Sequence, residues 1–171
     1  AFLHDTRAAA AVEMALVLPF LAYILINVAD LSVYVFDRMQ VDLAAQEAVG
    51  TARYVCDTAA ELPATTNCGG TLNTKMLAAA RSTSLGNSVS LNTPTEAWFC
   101  STAGGANLTQ VAAITAARPA NCSATIAGST AKPGDYISIT ASRSFTSLFP
   151  GASIAASLPA TITSTAWLRL Q

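Results

Sequence analysis

The sequence predicts an α+β protein in which one long N-terminal helix packs on a small antiparallel β-sheet. That helix is membrane-spanning over its first half and amphipathic over its second. Three observations carry this reading. Residues Ala8 to Ala29, AAAAVEMALVLPFLAYILINVA, contain a single charge, Glu13. Beyond them apolar residues recur at helical spacing to about residue 55, and past residue 95 the period changes to two. Four cysteines, Cys56, Cys68, Cys100 and Cys122, all follow the apolar run.

The apolar run comes first. At ~1.5 Å rise per residue its length is about 33 Å, which matches a hydrocarbon core roughly 30 Å thick. A buried core helix is usually shorter and apolar on one stripe only. A signal peptide has an apolar core of roughly 7 to 15 residues followed by a small-residue cleavage site; here Asn27, Asp30 and further helical pattern follow instead. Pro19 lacks an N–H and removes one backbone bond, so a mild kink is expected there. Ahead of the run, residues 1–7 read as a short polar tail with a solvated His4.

Past Asp30 no helix breaker intervenes. Leu31, Val33, Tyr34, Val35 and Phe36 form an apolar, aromatic collar where the helix leaves the bilayer. Val41, Ala44, Ala45, Ala48, Val49, Ala52 and Val55 then recur on one face, while Gln40, Asp42, Gln46, Glu47 and Arg53 occupy others. The spacing predicts one helix from about residue 7 to 55.

Residues 57 to 74 read as a loop rich in threonine, with Pro63 and Asn67-Cys68-Gly69-Gly70. Asn73 or Thr74 can cap a short helix, Lys75 to Leu85, stopped by Gly86-Asn87. Strands are expected at Glu96 to Thr102 and Ser123 to Ala127, linked by a loop over Ala103 to Ala120 that includes Gly104-Gly105. Pro133-Gly134-Asp135 reads as a turn launching a strand from Tyr136 to Phe145, with Ile137, Ile139 and Ala141 on its apolar face. Phe149-Pro150-Gly151 breaks that run, and Ala160 to Leu170 alternates again. Antiparallel strands with one wet face need a cover for the other, and the amphipathic half of the long helix supplies it.

The expected division is therefore a cytoplasmic tail over 1–7, a transmembrane helix over 8–30, its amphipathic extension over 31–55, and a disulfide-containing α+β domain over 56–171. The cysteines show no CxxC and have no histidine near them, which argues against zinc and for two disulfides in an oxidising compartment. Four reduced, buried thiols in a cytoplasmic domain are the alternative. Connectivity stays open, although Cys56–Cys68 with Cys100–Cys122 closes the shortest loops. Arg7 and Arg38 flank the span on opposite sides, so charge hardly biases its orientation. Cysteine chemistry decides it instead: N-terminus inside, and in a bacterium the C-terminal domain in the periplasm.

Composition removes whole classes of function. The chain has a net charge of −1 with 11% charged residues, so it offers no basic surface for nucleic acid. Its one histidine is His4, which leaves the C-terminal domain without a Ser-His-Asp triad or a ready metal site. Asp57, Glu61, Glu96 and Asp135 read as scattered, solvated carboxylates, and Trp98, Phe99 and Trp167 as sheet residues. No catalytic residue, metal or cofactor is expected, and the chain is read as a non-enzyme.

Arg7-Ala8-Ala9-Ala10-Ala11-Val12-Glu13-Met14-Ala15-Leu16-Val17-Leu18-Pro19 resembles the opening of TadE-like proteins, minor pseudopilins of tight-adherence pili. The stretch Ala44-Ala45-Gln46-Glu47-Ala48-Val49-Gly50-Thr51-Ala52-Arg53-Tyr54 is similar to the alanine-rich helix that follows in that family. Pro133-Gly134-Asp135, Phe145 and Leu148-Phe149-Pro150 also look family-like, whereas residues 56 to 130 do not. The resemblance implies a pilin-like fold and places Glu13 at the glutamate of a prepilin-peptidase signature. Cleavage would then fall between Ala8 and Ala9, with Glu13 fifth in the mature chain; Ala8 stands where the family pattern has glycine. In pilins a neighbouring subunit's terminal ammonium offsets such a glutamate. A carboxylate at mid-bilayer costs on the order of 2.5–3.5 kcal/mol, less near the interface, and Glu13 lies about 8 Å into the run. Snorkelling to the headgroups, or protonation, is the alternative solution.

Two functions follow from the resemblance. One is a minor pilin or pilus-assembly component. The other is an accessory subunit of a larger inner-membrane complex, packed along its partners through the small residues Ala8, Ala11 and Ala15, with Pro19 on the same helix. The expected partners are the lipid bilayer and other membrane or pilus subunits.

Overall fold

The computed structural model describes residues 6–101 and 107–171. His4 and Gly104-Gly105, named above, lie outside them. Helix α1 runs unbroken over Thr6–Val55 with Pro19 inside it, and a five-stranded antiparallel sheet follows, so the α+β class holds. The described chain forms two compact units. One comprises α1 as far as Asp37 together with Ser144–Thr161; the other is Arg38–Arg143 with Ile162–Gln171.

In the second unit the face of α1 read from its periodicity is buried: Val41, Ala44, Ala45, Ala48 and Ala52 have no exposed surface. Most of these are alanines, so volume in this core comes from Leu72, Met76, Ile137 and Ile139, which are also buried. Arg53 donates from the same helix to the Arg169 carbonyl at 3.3 Å.

The stretch after α1 differs from the expected loop. A 3-10 turn spans Ala59–Glu61, where the Glu61 carboxylate accepts from the N–H and hydroxyl of Thr58. Helix α2 covers Ala64–Asn67 and α3 covers Gly69–Arg81. The expected helix at Lys75 to Leu85 is thus displaced toward the N-terminus. Gly69 and Gly70 sit in its first turn, where N–H groups have no intrahelical acceptor in any case. At the other end Ser82 Oγ donates to the Ala79 carbonyl at 2.7 Å and Thr83 Oγ1 to the Ala80 carbonyl at 2.8 Å. These hydroxyls take the last carbonyls and end the helix four residues early.

Strands β1 (Ser90–Leu91), β2 (Thr95–Ser101), β3 (Leu108–Ala113), β4 (Gly134–Ser144) and β5 (Thr161–Arg169) form the sheet. The order is β1-β4-β2-β3, with β5 also paired to β4. Residues Thr95 to Phe99 of β2 face Ser138 to Gly134 of β4, and β1 pairs further along β4 at Ala141 and Ser142. On β4 the alternation is as read, with Ile137, Ile139 and Ala141 buried, although Ser138 on the other face is buried too.

Three expectations in this part of the chain are overturned. Ser123 to Ala127 is a turn: Asn121 Oδ1 accepts from Ser123 N and Oγ at 3.1 and 2.6 Å, and the Cys122 carbonyl accepts from Thr125 and Ile126. Gly128 leaves this turn at φ +75°, a conformation glycine adopts without penalty. A strand, β3, lies instead inside the stretch expected to be loop. Pro133-Gly134-Asp135 is likewise no turn, since Gly134 and Asp135 begin β4. Gly134 is required for close approach, because a Cβ there would stand 2.7 Å from the Tyr136 ring and 3.0 Å from Arg169 Nε.

Ile139 is fully packed, so Ile139→Ala leaves a cavity. The expected cost is about 2–5 kcal/mol, read as a lowered denaturation midpoint of the full-length protein in detergent.

Candidate functional site: the apolar helix and the loop held on it

The first unit is built on the apolar half of α1. This is the one described helix long and apolar enough to cross a membrane, and only 6% of its most apolar window is buried. Leu16, Phe20, Leu21, Leu25 and Val28 are each more than half exposed. A soluble core helix with this composition would be mostly covered, so the exposed surface calls for an apolar surrounding.

Near the C-terminal end of the run two polar residues are buried. Asp30 has no exposed surface and Asn27 is 9% exposed. Spaced at i and i+3, they share a face of the helix with Tyr34 at i+7. Segment 145–157 lies along that face. The Phe145 ring meets Tyr34 edge-on at 5.0 Å. Ser147 Oγ donates to Asp30 Oδ2, and the Leu148 N–H donates to Asp30 Oδ1 at 2.9 Å. Next, the Ile154 N–H donates to Asn27 Oδ1 at 2.8 Å, while Asn27 Nδ2 donates back to the Tyr23 carbonyl at 2.8 Å. The side-chain groups of Asn27 and Asp30 are thereby satisfied by the Ser147 hydroxyl and by loop and helix backbone, as buried polar groups must be.

The segment is an Ω-loop. Its ends are held by Phe145 N donating to the Ala160 carbonyl at 2.8 Å, which closes a 16-residue excursion of the size such loops take (about 6–16 residues). Inside it Ala152 and Ser153 both donate to the Phe149 carbonyl, Gly151 turns the chain at φ +85°, and a 3-10 turn covers Ile154–Ser157.

The expected processing and packing positions lie on the same helix. Ala8 and Ala9 are in its first turns, and Ala11, Glu13, Ala15 and Pro19 are exposed. Asn27 and Asp30 had no role in the sequence reading beyond marking the end of the span. The signal that could have found them is a carboxylate closing an apolar run, which must have a partner.

In the second unit the cysteines are brought together as two disulfides, Cys56 with Cys68 and Cys100 with Cys122. The reading of Glu96 and Asp135 as solvated carboxylates is overturned: they are 9% and 1% exposed. The pairing of Trp98 with Asp135 and of Glu96 with Ile137 puts both carboxyls on one face of the sheet. Glu96 accepts from Ala64 N, Thr65 N and Thr65 Oγ1 at 2.9, 2.7 and 2.6 Å, capping the start of α2. Asp135 Oδ1 has no hydrogen-bond partner. Burial, followed by the charge of Glu96, pushes the Asp135 carboxyl up to about 7. It lines a shallow cavity of about 170 Å³ with Leu62, Pro63, Trp98, Ile114 and Gln171. Arg118 lies 5.1 Å from the Trp98 ring and donates to the Pro133 carbonyl at 2.8 Å. Phe99 packs edge-on against Tyr136 and Trp167, so these aromatics belong to the sheet. Among the described residues no three His, Cys, Asp or Glu side chains gather as metal ligands.

Residues 8–49 match the family model described as TadE-like protein. The matched part covers the apolar run and most of its amphipathic continuation. No curated protein and no solved structure matches the chain. Together the match and the exposed apolar helix support a pilus-associated membrane protein.

Two outcomes follow from this geometry. Asp30→Ala removes the acceptor for Ser147 and Leu148, so limited chymotrypsin digestion in detergent should cut within 145–157 severalfold faster, at Phe145 or Leu148. The second concerns Asp135. Its folded-state value of about 7 exceeds the ordinary 3.8, so the folded chain holds this proton more tightly than the unfolded chain. Stability therefore falls as pH rises from about 4 to about 7 and levels off above that. In Asp135→Asn this fall should shrink, measured as the thermal midpoint across that range.

Proposed function

We propose that this protein is a non-enzymatic, single-pass membrane protein of TadE-like type, acting as a minor pilin or pilus-assembly component. The observation that carries the reading is the exposed apolar helix with Glu13 near its start, inside the segment that matches the family. Its N-terminus faces the cytoplasm and its disulfide-containing domain the periplasm of a bacterial inner membrane. Two disulfides support that orientation, because such bonds persist in oxidising compartments.

On this reading the chain works by association. Glu13 is exposed on an otherwise apolar surface, where a carboxylate has little to solvate it. The ammonium at a neighbouring subunit's N-terminus is a fitting counter-charge, and Ala11 and Ala15 on the same helix allow close packing of a second helix. Cutting between Ala8 and Ala9 would expose that ammonium four residues before Glu13.

Mass spectrometry of the protein from its native membrane tests the processing step. A mature chain beginning at Ala9 is the expected result. A chain extending upstream of Ala9, held in fixed ratio with other membrane subunits, would support the accessory-subunit role in its place. Glu13→Ala should reduce co-purification with partner subunits at least severalfold while leaving the protein in the membrane; unchanged co-purification counts against the assembly role.

A further inference from the structure

We propose that the Ω-loop over residues 145–160 is a second membrane-contacting element, with Leu148, Phe149 and Ile154 seated in the lipid headgroup–acyl boundary beside the helix. This rests on the reading of α1 as a membrane span.

Depth along the helix supplies the first argument. A hydrocarbon core roughly 30 Å thick takes about 20 residues of helix, so a span beginning near Ala10 ends near Ala29. The loop is tied at Asn27 and Asp30, the turn where the span meets the interface. Its course runs toward the membrane: Phe145 sits at Tyr34, Ser147 and Leu148 at Asp30, and Ile154 at Asn27. Seven residues of helix correspond to a descent of about 10 Å.

Composition supplies the second. Residues 144–160, SFTSLFPGASIAASLPA, contain no Asp, Glu, Lys, Arg or His. The loop therefore has no ionised side chain to desolvate when its apolar residues enter the boundary. Exposure supplies the third: Leu148 is 58%, Phe149 40% and Ile154 54% exposed. Large apolar side chains exposed together in a compact loop mark a contact surface, and here that surface is continuous with the apolar helix to which the loop is bonded. The occupant it fits is the bilayer itself.

Each hydrogen bond to the helix also removes a polar group that lipid could not satisfy. Ser147 Oγ, Leu148 N–H and Ile154 N–H all donate to helix side chains, so their apolar neighbours can enter the boundary without carrying unpaired donors.

The test is photo-crosslinking of the full-length protein reconstituted in phosphatidylcholine vesicles, with benzoylphenylalanine replacing Phe149. The same replacement is made at Leu18 within the span, and at Tyr54, which is 87% exposed and belongs to the second unit. The expected result is a phospholipid adduct on the peptide carrying position 149, about tenfold or more above Tyr54 and comparable with Leu18. Adduct at Leu18 with none above the Tyr54 level at 149 overturns the loop proposal alone. Adduct at neither 149 nor Leu18 overturns the spanning helix and the loop together. A crosslink from 149 to protein instead of lipid makes the loop a subunit contact and also overturns the proposal. Leu148, more exposed than Phe149, serves as a second position should the first replacement impair folding.

Discussion

A carboxylate at the end of an apolar helix must be solvated by something, and the first unit is arranged around that requirement. Asp30 closes the run that begins at Ala8, and it is fully buried. Burying an unpaired carboxylate is strongly unfavourable, so the protein brings donors to it: the hydroxyl of Ser147 and the N–H of Leu148. Charge-assisted hydrogen bonds of this kind are stronger and more directional than neutral ones. The result is a fixed register between a helix residue and a loop more than a hundred positions later in the chain. Asn27, one turn earlier, fixes the same loop a second time through Ile154.

The loop's own sequence is consistent with this attachment. A 16-residue connection is long for two paired strands, which two to five residues can join. Its internal bonds onto the Phe149 carbonyl and its 3-10 turn satisfy backbone groups that water would otherwise have to serve. Freed from dependence on water, the segment can omit charge altogether. Its apolar side chains then face outward where a soluble protein would place polar ones.

How much of this could be read in advance depended on whether a signal was local. The long helix was legible because its apolar run and its alanine face each exceed several turns, and β4 because Ile137, Ile139 and Ala141 alternate cleanly with hydroxyl residues. Strand β3 was missed because it is peripheral and only half covered, so Leu108 to Ala113 carries little alternation. Ser123 to Ala127 looked extended by composition, but Asn121 bonds its own neighbours and bends the chain. Glu96 and Asp135 are separated by 39 positions, and only the pairing of β2 with β4 brings them to one face. Their burial was invisible to a reading that treats isolated carboxylates as solvated. Asn27 and Asp30 were seen as the end of the span, but their partners are set by tertiary structure alone.

Helix α1 therefore carries two acidic residues in or beside its apolar half, Glu13 and Asp30, with opposite environments. Asp30 is fully enclosed, and its acceptor oxygens are occupied by donors from the same chain. Glu13 lies on the exposed surface of the helix. An acidic group that is already satisfied internally offers nothing to a partner, whereas one left at the edge of an apolar surface gains from any cation brought to it. Small neighbours such as Ala11 and Ala15 lower the barrier to a second helix approaching at that level. The two carboxylates thus differ along one helix: Asp30 holds the loop in place, and Glu13 is left exposed.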